Sequence, residues 1–232
     1  MGVNSKFLCI FEIKMKTMKT IDIPRFSFEK NESIDTKIKT IKEQGVKAAI
    51  DQVNWEKEFP YSLPVSVYAG HDNHSLYLYY TITGEIVRTE NNKDFGSVWE
   101  DSCVEFFMMR EGEKNYRNFE CNAIGSLLAS TRESKESAQP LTDDIPTINR
   151  YVTLQHRYEK NQKVTDWTLF LEIPKKAMGF ASDESISGKI LKGNFYKCGD
   201  KTENIHFLSW NPIDLPSPNF HDTRFFGTLR MK

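Results

Sequence analysis

The chain has 232 residues, with 31 Lys and Arg against 32 Asp and Glu and a formal net charge of −1. A balance this close to neutral lacks the basic footprint of a nucleic-acid binder, and the length suits one large domain or two small ones. Aromatic residues make up 12% of the chain and recur in short alternating runs, which is the habit of strands and not of a continuous apolar span.

The first residues, MGVNSKFLCIFEIK, contain one short apolar run from Phe7 to Phe11. A signal peptide needs about 7–15 apolar residues followed by a small-residue cleavage site, and neither is present. No run anywhere approaches the roughly 20 apolar residues of a membrane-spanning helix. Residues 1–18 are therefore expected to be a disordered extension, followed by a single domain over 19–232. Location defaults to the cytoplasm on this reading, with the cell surface or periplasm open should the true start lie elsewhere.

In NESIDTKIKTIKEQG, Ile34, Ile38 and Ile41 recur at helical spacing and Gly45 stands where a cap belongs, so a short surface helix is expected there. In LYLYYTIT, Leu76, Leu78, Tyr80 and Ile82 alternate with Tyr77, Tyr79, Thr81 and Thr83. That is a strand with an aliphatic face and a half-exposed hydroxylated face. Similar strands follow at VTLQH near Val152, at WTLFLEIP from Trp167, at GNFYKCG from Gly193, at HFLSW ending at Trp210, and at FFGTLRM. The charged segment from Ala129 to Thr147 reads as one long surface loop. Many short strands with almost no helical pattern between them predict an all-β fold, an antiparallel β-sandwich of immunoglobulin-like or jelly-roll-like type. Trp55 and Trp167 read as structural.

Cys9, Cys103, Cys121 and Cys198 show no CxxC spacing and no histidine pair nearby, which argues against a zinc site. They are expected to be free thiols. Cys103 and Cys121 lie on neighbouring strands but on opposite faces, which disfavours a disulfide between them.

The densest chemistry lies in SVWEDSCVEFFMMREGEKNYRNFECNAIGS, residues 97–126. A regular strand from Trp99 puts Trp99, Asp101, Cys103 and Glu105 on one face and Ser102, Val104, Phe106 and Met108 on the other, the core face. After the turn at REGEKN, Phe119, Cys121 and Ala123 share a core face while Asn118, Glu120 and Asn122 point outward. Setting Met109 opposite Tyr116 aligns Phe106 with Phe119, Val104 with Cys121 and Glu105 with Glu120. Two carboxylates side by side repel, so an arginine, a cation, a proton or a ligand's hydroxyl groups must compensate.

The motifs VWEDSCVEFF, YRNFECNAIGSLLAS, WTLFLEIP, GNFYKCGD, HFLSWNPI and PNFHDTRFFGTL, in this order and spacing, resemble the carbohydrate-binding module family 9-like domains, a DOMON-like group. The resemblance runs from about Ile21 to the end. It implies a β-sandwich that grips a sugar ring between two tryptophans while carboxylate, amide and guanidinium groups bond its hydroxyls. By motif, Trp99 and Glu105 carry over, with Trp210 as a second wall; the arginine and glutamine ligands match no residue here. The resemblance also implies structural calcium in some members, and otherwise no cofactor.

A pyranose offers one C–H face that packs on an aromatic ring and a rim of hydroxyls that bond well to charged acceptors. The expected binding set is Trp99, Glu105, Glu120, Asn122 and Trp210, with a mono- or oligosaccharide as partner and a role in polysaccharide use. Each has a structural alternative. Trp99 is either a sugar platform or a core ring, Glu105 either a ligand or the partner of Arg110 or Arg117, and Trp210 either a wall or the closure of the core beneath a proline-rich loop. His221 either faces the ligand or braces its loop.

Two other classes stand beside a non-catalytic binding domain. A glycoside hydrolase could use Glu105 and Glu120, since opposed strand residues have Cβ atoms about 5 Å apart, near the roughly 5–5.5 Å carboxyl separation of retaining enzymes. A haem sandwich would need paired Met and His ligands, which Met108, Met109 and the five histidines do not offer by spacing.

Overall fold

The computed structural model describes residues 17–29 and 31–232. Cys9 and nearly all of the segment expected to be disordered lie outside the described residues. In chain order the elements are β1 (Thr20–Ile23), α1 (Ile34–Gln44), β2 (Val46–Ala49), β3 (Gln52–Val53), β4 (Val65–His71) and β5 (Ser75–Glu85). There follow β6 (Cys103–Arg110), β7 (Tyr116–Asn122), β8 (Leu127–Arg132), β9 (Gln139–Pro140), β10 (Asn149–Glu159) and β11 (Gln162–Pro174). The last three are β12 (Ile190–Gly199), β13 (His206–Ser209) and β14 (Gly227–Met231).

These strands form a β-sandwich. The larger sheet runs β1-β14-β12-β6-β7-β8-β9, with β13 added to β12 and β3 to β13; the smaller runs β10-β11-β5-β4-β2. Neighbouring strands are antiparallel except for the parallel pair β1 and β14. The β6–β7 pairing has the register that core matching predicts, with Glu105 opposite Glu120, Phe106 opposite Phe119 and Val104 opposite Cys121. Any one-residue slip would send an apolar set to the wrong face, which is why this register is legible from alternation alone.

Between the sheets, Val104, Phe106, Met108, Phe119, Cys121 and Phe195 meet Leu78, Tyr80, Leu169 and Leu171, all fully buried or nearly so. Phe106 stacks on Phe119 and Phe195 at ring separations of 6.2 and 5.2 Å. Removing this much apolar surface from water is the main source of stability.

The helix starts at Ser33, whose hydroxyl accepts the Thr36 N–H at 3.1 Å, and it buries Ile41. Gly45 ends it, though with an extended φ of −71°. Glycine is needed there for space, because a Cβ would sit 2.4 Å from the Ile41 carbonyl oxygen. α1 covers the outer face of the small sheet, so Tyr77 and Tyr79 are buried against Ile41 and Phe170 and not half exposed as alternation predicts. Tyr77 keeps its hydroxyl satisfied by donating to Asp72 at 2.6 Å.

The outer face of the large sheet is covered as well. Cys103, Phe107, Tyr116, Tyr196 and Cys198 pack under Trp55, Ile213, Phe220 and Phe226, which come from connecting segments. Tyr196 and Phe220 stack at 4.1 Å, and the Trp55 indole donates to the Leu215 carbonyl at 2.8 Å. The segment from Ala129 to Thr147 is not one loop: β8 continues to Arg132, β9 pairs with it, and residues 145–147 make a 3-10 turn. Its polar sequence fits an edge that faces water on one side. Among the described residues no helix is long and apolar enough to cross a membrane.

Candidate functional site

The cover on the large sheet leaves a cavity of about 300 Å³. At its base are Glu105 on β6, Glu120 on β7 and Cys198 on β12, three neighbouring strands. Trp99, Phe207 and Phe220 supply aromatic walls, and Arg132, Lys135, Asp200, Asn219 and His221 supply polar ones. The volume is at the small end of the roughly 300–1,000 Å³ of ligand cavities, the size for a compact ligand gripped closely.

Trp99 does not extend β6. It sits in a 3-10 turn, Val98–Glu100, pinned to the end of β12 because its carbonyl accepts the Asp200 N–H at 3.2 Å and Glu100 accepts from Lys201 at 3.0 Å. The turn brings Trp99 to the same cavity as Glu105, although strand parity is the wrong reason for it. The anchor is Asp101, fully buried, which accepts from the Arg88 guanidinium, the Glu90 and Asn91 N–H groups and Asn122 Nδ2. Asp101→Asn is expected to cost about 2 kcal/mol, the scale of hydrogen bonds to a buried charge, measured as a lower urea midpoint at unchanged slope.

Glu105 and Glu120 are 3% and 4% exposed. Burial, then the neighbouring Glu120 carboxyl, holds Glu105 well above the usual carboxylate range, with the Cys198 thiol donating to it at 3.0 Å in partial relief. Burial also pushes Glu120 up to about 7, against the pull of an Asn118 amide donating at 2.7 Å and of Arg132. Arg132 and Lys135 are basic groups of the site, and the Arg132 Nε donates to Asn118 at 3.0 Å. Arg110 and Arg117, the alternative partners for Glu105, instead pair with Glu184 and Glu113. His221 is held down to about 3 by burial and by Arg132 and Lys135, and its Nδ1 shares a 2.8 Å hydrogen bond with the Tyr116 hydroxyl.

Two expected binding residues lie elsewhere. Trp210 is 3% exposed and packs on Phe195 in the core between the sheets, which is the closing role its proline-rich neighbourhood offered as the alternative. Asn122 is fully buried, donating to Asn91 O at 2.7 Å and to Asp101, while its Oδ1 accepts the Ser126 N–H at 2.9 Å. With these bonds made, it holds the β7–β8 turn. Phe207, Phe220, Arg132, Lys135 and Asp200 are the residues that alternation could not find, since each reaches the cavity from a different strand end or loop.

The model of carbohydrate-binding family 9 matches residues 35–231. The chain belongs to carbohydrate-binding family 9. This family-9 domain is 35% identical to a Bacteroides uniformis ATCC 8492 protein described as a proposed carbohydrate-binding protein, over 93% of this chain and 100% of that one, with a TM-score of 0.82. It also shares its fold with a family-9 module of Caldicellulosiruptor kristjanssonii solved with glucose, at 11% identity, a TM-score of 0.62 and coverage of 92% and 96%. The same module with cellotriose gives 11% identity, 0.62, and coverage of 92% and 94%. No curated protein matches the family-9 chain significantly in sequence.

Proposed function

We propose that this family-9 domain binds a sugar in the cavity over β6, β7 and β12, with Trp99 stacking on the ring and Glu105 and Glu120 accepting from its hydroxyls. The observation that carries the reading is the meeting of an aromatic wall with a paired, buried carboxyl base in one small cavity. Apolar C–H faces and hydroxyl rims need those two kinds of surface side by side. Arg132, Lys135, Asn219 and His221 add further polar groups around the same space. Relatives solved with glucose and cellotriose make those two sugars the first ligands to try.

Calorimetric titration with glucose, cellotriose and a wider panel of mono- and oligosaccharides tests this. Binding at millimolar concentration or tighter is expected, with Trp99→Ala and Glu105→Gln each weakening it about tenfold, the scale of one stacking or hydrogen-bond contact. Trp210→Phe is expected to shift stability and leave affinity unchanged. Absence of binding to every sugar at millimolar concentration would sink the reading. Oligosaccharides are expected to survive prolonged incubation intact; cleavage that disappears in Glu120→Gln would make the domain a hydrolase instead.

A further inference from the structure

The base of the cavity carries a second arrangement of donors. Cys103 precedes Glu105 by two positions on β6, so both side chains project to the same face. On the neighbouring strand β12, Cys198 stands directly opposite Cys103 in the antiparallel register. The Cys103 Sγ, a Glu105 carboxylate oxygen and the Cys198 Sγ all lie within 4.8 Å of one another. The Cys198 Sγ to Glu105 Oε1 contact is 3.0 Å. Both thiols are free.

The geometry points to a binding site for a thiophilic divalent ion of the zinc class, held by Cys103, Cys198 and Glu105, with its fourth coordination position opening into the cavity. Zinc takes thiolate sulfur at about 2.3 Å and carboxylate oxygen at about 2.0–2.2 Å, so the edges of its tetrahedron are about 3.5–3.8 Å. The 3.0 Å contact between Cys198 Sγ and Glu105 must open by about 0.5–0.8 Å and the longer separations, none above 4.8 Å, close by about 1.3 Å at most, within reach of side-chain rotation on a fixed backbone. Two sulfurs and one oxygen suit soft or borderline ions and reject calcium and magnesium, which take oxygen alone. Three protein ligands with one open position is also the pattern of zinc sites that accept an exchangeable ligand. β6 and β12 are interior strands of the large sheet, so the donors are held by a rigid frame. The filled site would carry a net charge of −1, and Arg132 lines the same cavity to offset it.

The site rests on donor placement alone, independent of sugar binding, although Glu105 serves both and the two ligands should compete. The test uses a Cys9→Ser background, which removes the cysteine outside the described residues. Titration with Cd²⁺ as a spectroscopic probe is expected to give one ion per chain with an ultraviolet sulfur-to-metal charge-transfer band, and Zn²⁺ is expected to displace it.

The Cys103→Ser, Cys198→Ser double variant should lose at least about 100-fold in affinity, more than the ~10–100-fold that losing an outer-shell partner costs. Cys121→Ser, whose thiol is buried in the core between the sheets, should leave affinity unchanged. Should the double variant fail to fold, Glu105→Gln keeps both thiols and is expected to weaken binding about tenfold, still at least the lower bound for an outer-shell loss. Trp99→Ala should still bind Cd²⁺ at full strength, which separates failure of this site from failure of the sugar reading. Absence of the band at one equivalent of Cd²⁺, or equal affinity in the double variant, would overturn the proposal.

Discussion

Lys197→Met is expected to destabilise the protein by about 3–5 kcal/mol, the cost of removing one partner from a buried ion pair. Lys197 is fully buried on β12, and its three ammonium protons have three acceptors. They reach Glu85 Oε1 at 2.8 Å, the Cys198 carbonyl at 2.8 Å and His206 Nε2 at 2.7 Å. Glu85 Oε2 in turn accepts the Trp167 indole N–H at 2.7 Å, so the network joins β5 and β11 of one sheet to β12 and β13 of the other. Methionine fills most of the space but leaves the Glu85 carboxylate without its counter-charge. Lys197→Met with Glu85→Gln should recover much of the loss, because the strongest penalty falls on the orphaned charge and not on the missing attraction. A loss under about 1 kcal/mol for the single variant, in the range of exposed pairs, would show the network is solvated in solution.

The same network sets a pH dependence. Burial, then the neighbouring Lys197 ammonium, pushes His206 down to about 2, so its imidazole stays neutral in the folded protein. Its Nδ1 faces the Asn204 carbonyl at 2.7 Å and its ring lies 5.3 Å from Tyr61, with Lys197 and Glu85 on the Nε2 side. The unfolded chain takes up a proton near pH 6.5, whereas the folded chain does so only near pH 2. Stability is therefore complete above about pH 6.5 and is lost as pH falls toward the folded value.

His206→Gln keeps an acceptor for Lys197 and removes this titration. The difference in stability between variant and wild type should move in the variant's favour by about 3 kcal/mol between pH 7 and pH 4. Glu105, Glu120 and Asp200, raised by burial, contribute with the opposite sign, but equally in both proteins, so they cancel in the difference. Urea denaturation across this range checks it, and parallel curves for the two proteins would refute it.

The features legible in the sequence are those that a single strand or hairpin decides. The β6–β7 register follows from Phe106, Val104, Phe119 and Cys121 needing one face, and it places Glu105 beside Glu120 with no knowledge of the rest of the chain. The three isoleucines of α1 work the same way. What a strand's other face meets is a different matter. Tyr77 looks half exposed until α1 lies across it, and Trp99 looks like a strand residue until Asp101 draws the preceding segment into a turn. β4 was within reach, since Val65, Val67 and Ala69 alternate, but Tyr68 and Gly70 blur the pattern. Arg132 and Asp200 carry no local mark of their role, and neither does the pairing of Cys103 with Cys198. Their neighbours are brought by pairing between strands far apart in the chain.

The alternation along β6 has an evolutionary consequence. Val104, Phe106 and Met108 serve the core while Cys103, Glu105 and Phe107 serve the cavity side, so each successive residue answers to a different tenant. Deleting one residue inside the strand would exchange the two sets, carrying a carboxyl into the apolar interior and a phenyl ring to the cavity. Lineages of this domain can thus diversify the ligand by substitution at alternate positions, or by rebuilding the covering loops that hold Trp99 and Phe220. Insertions and deletions that keep the fold belong in those loops.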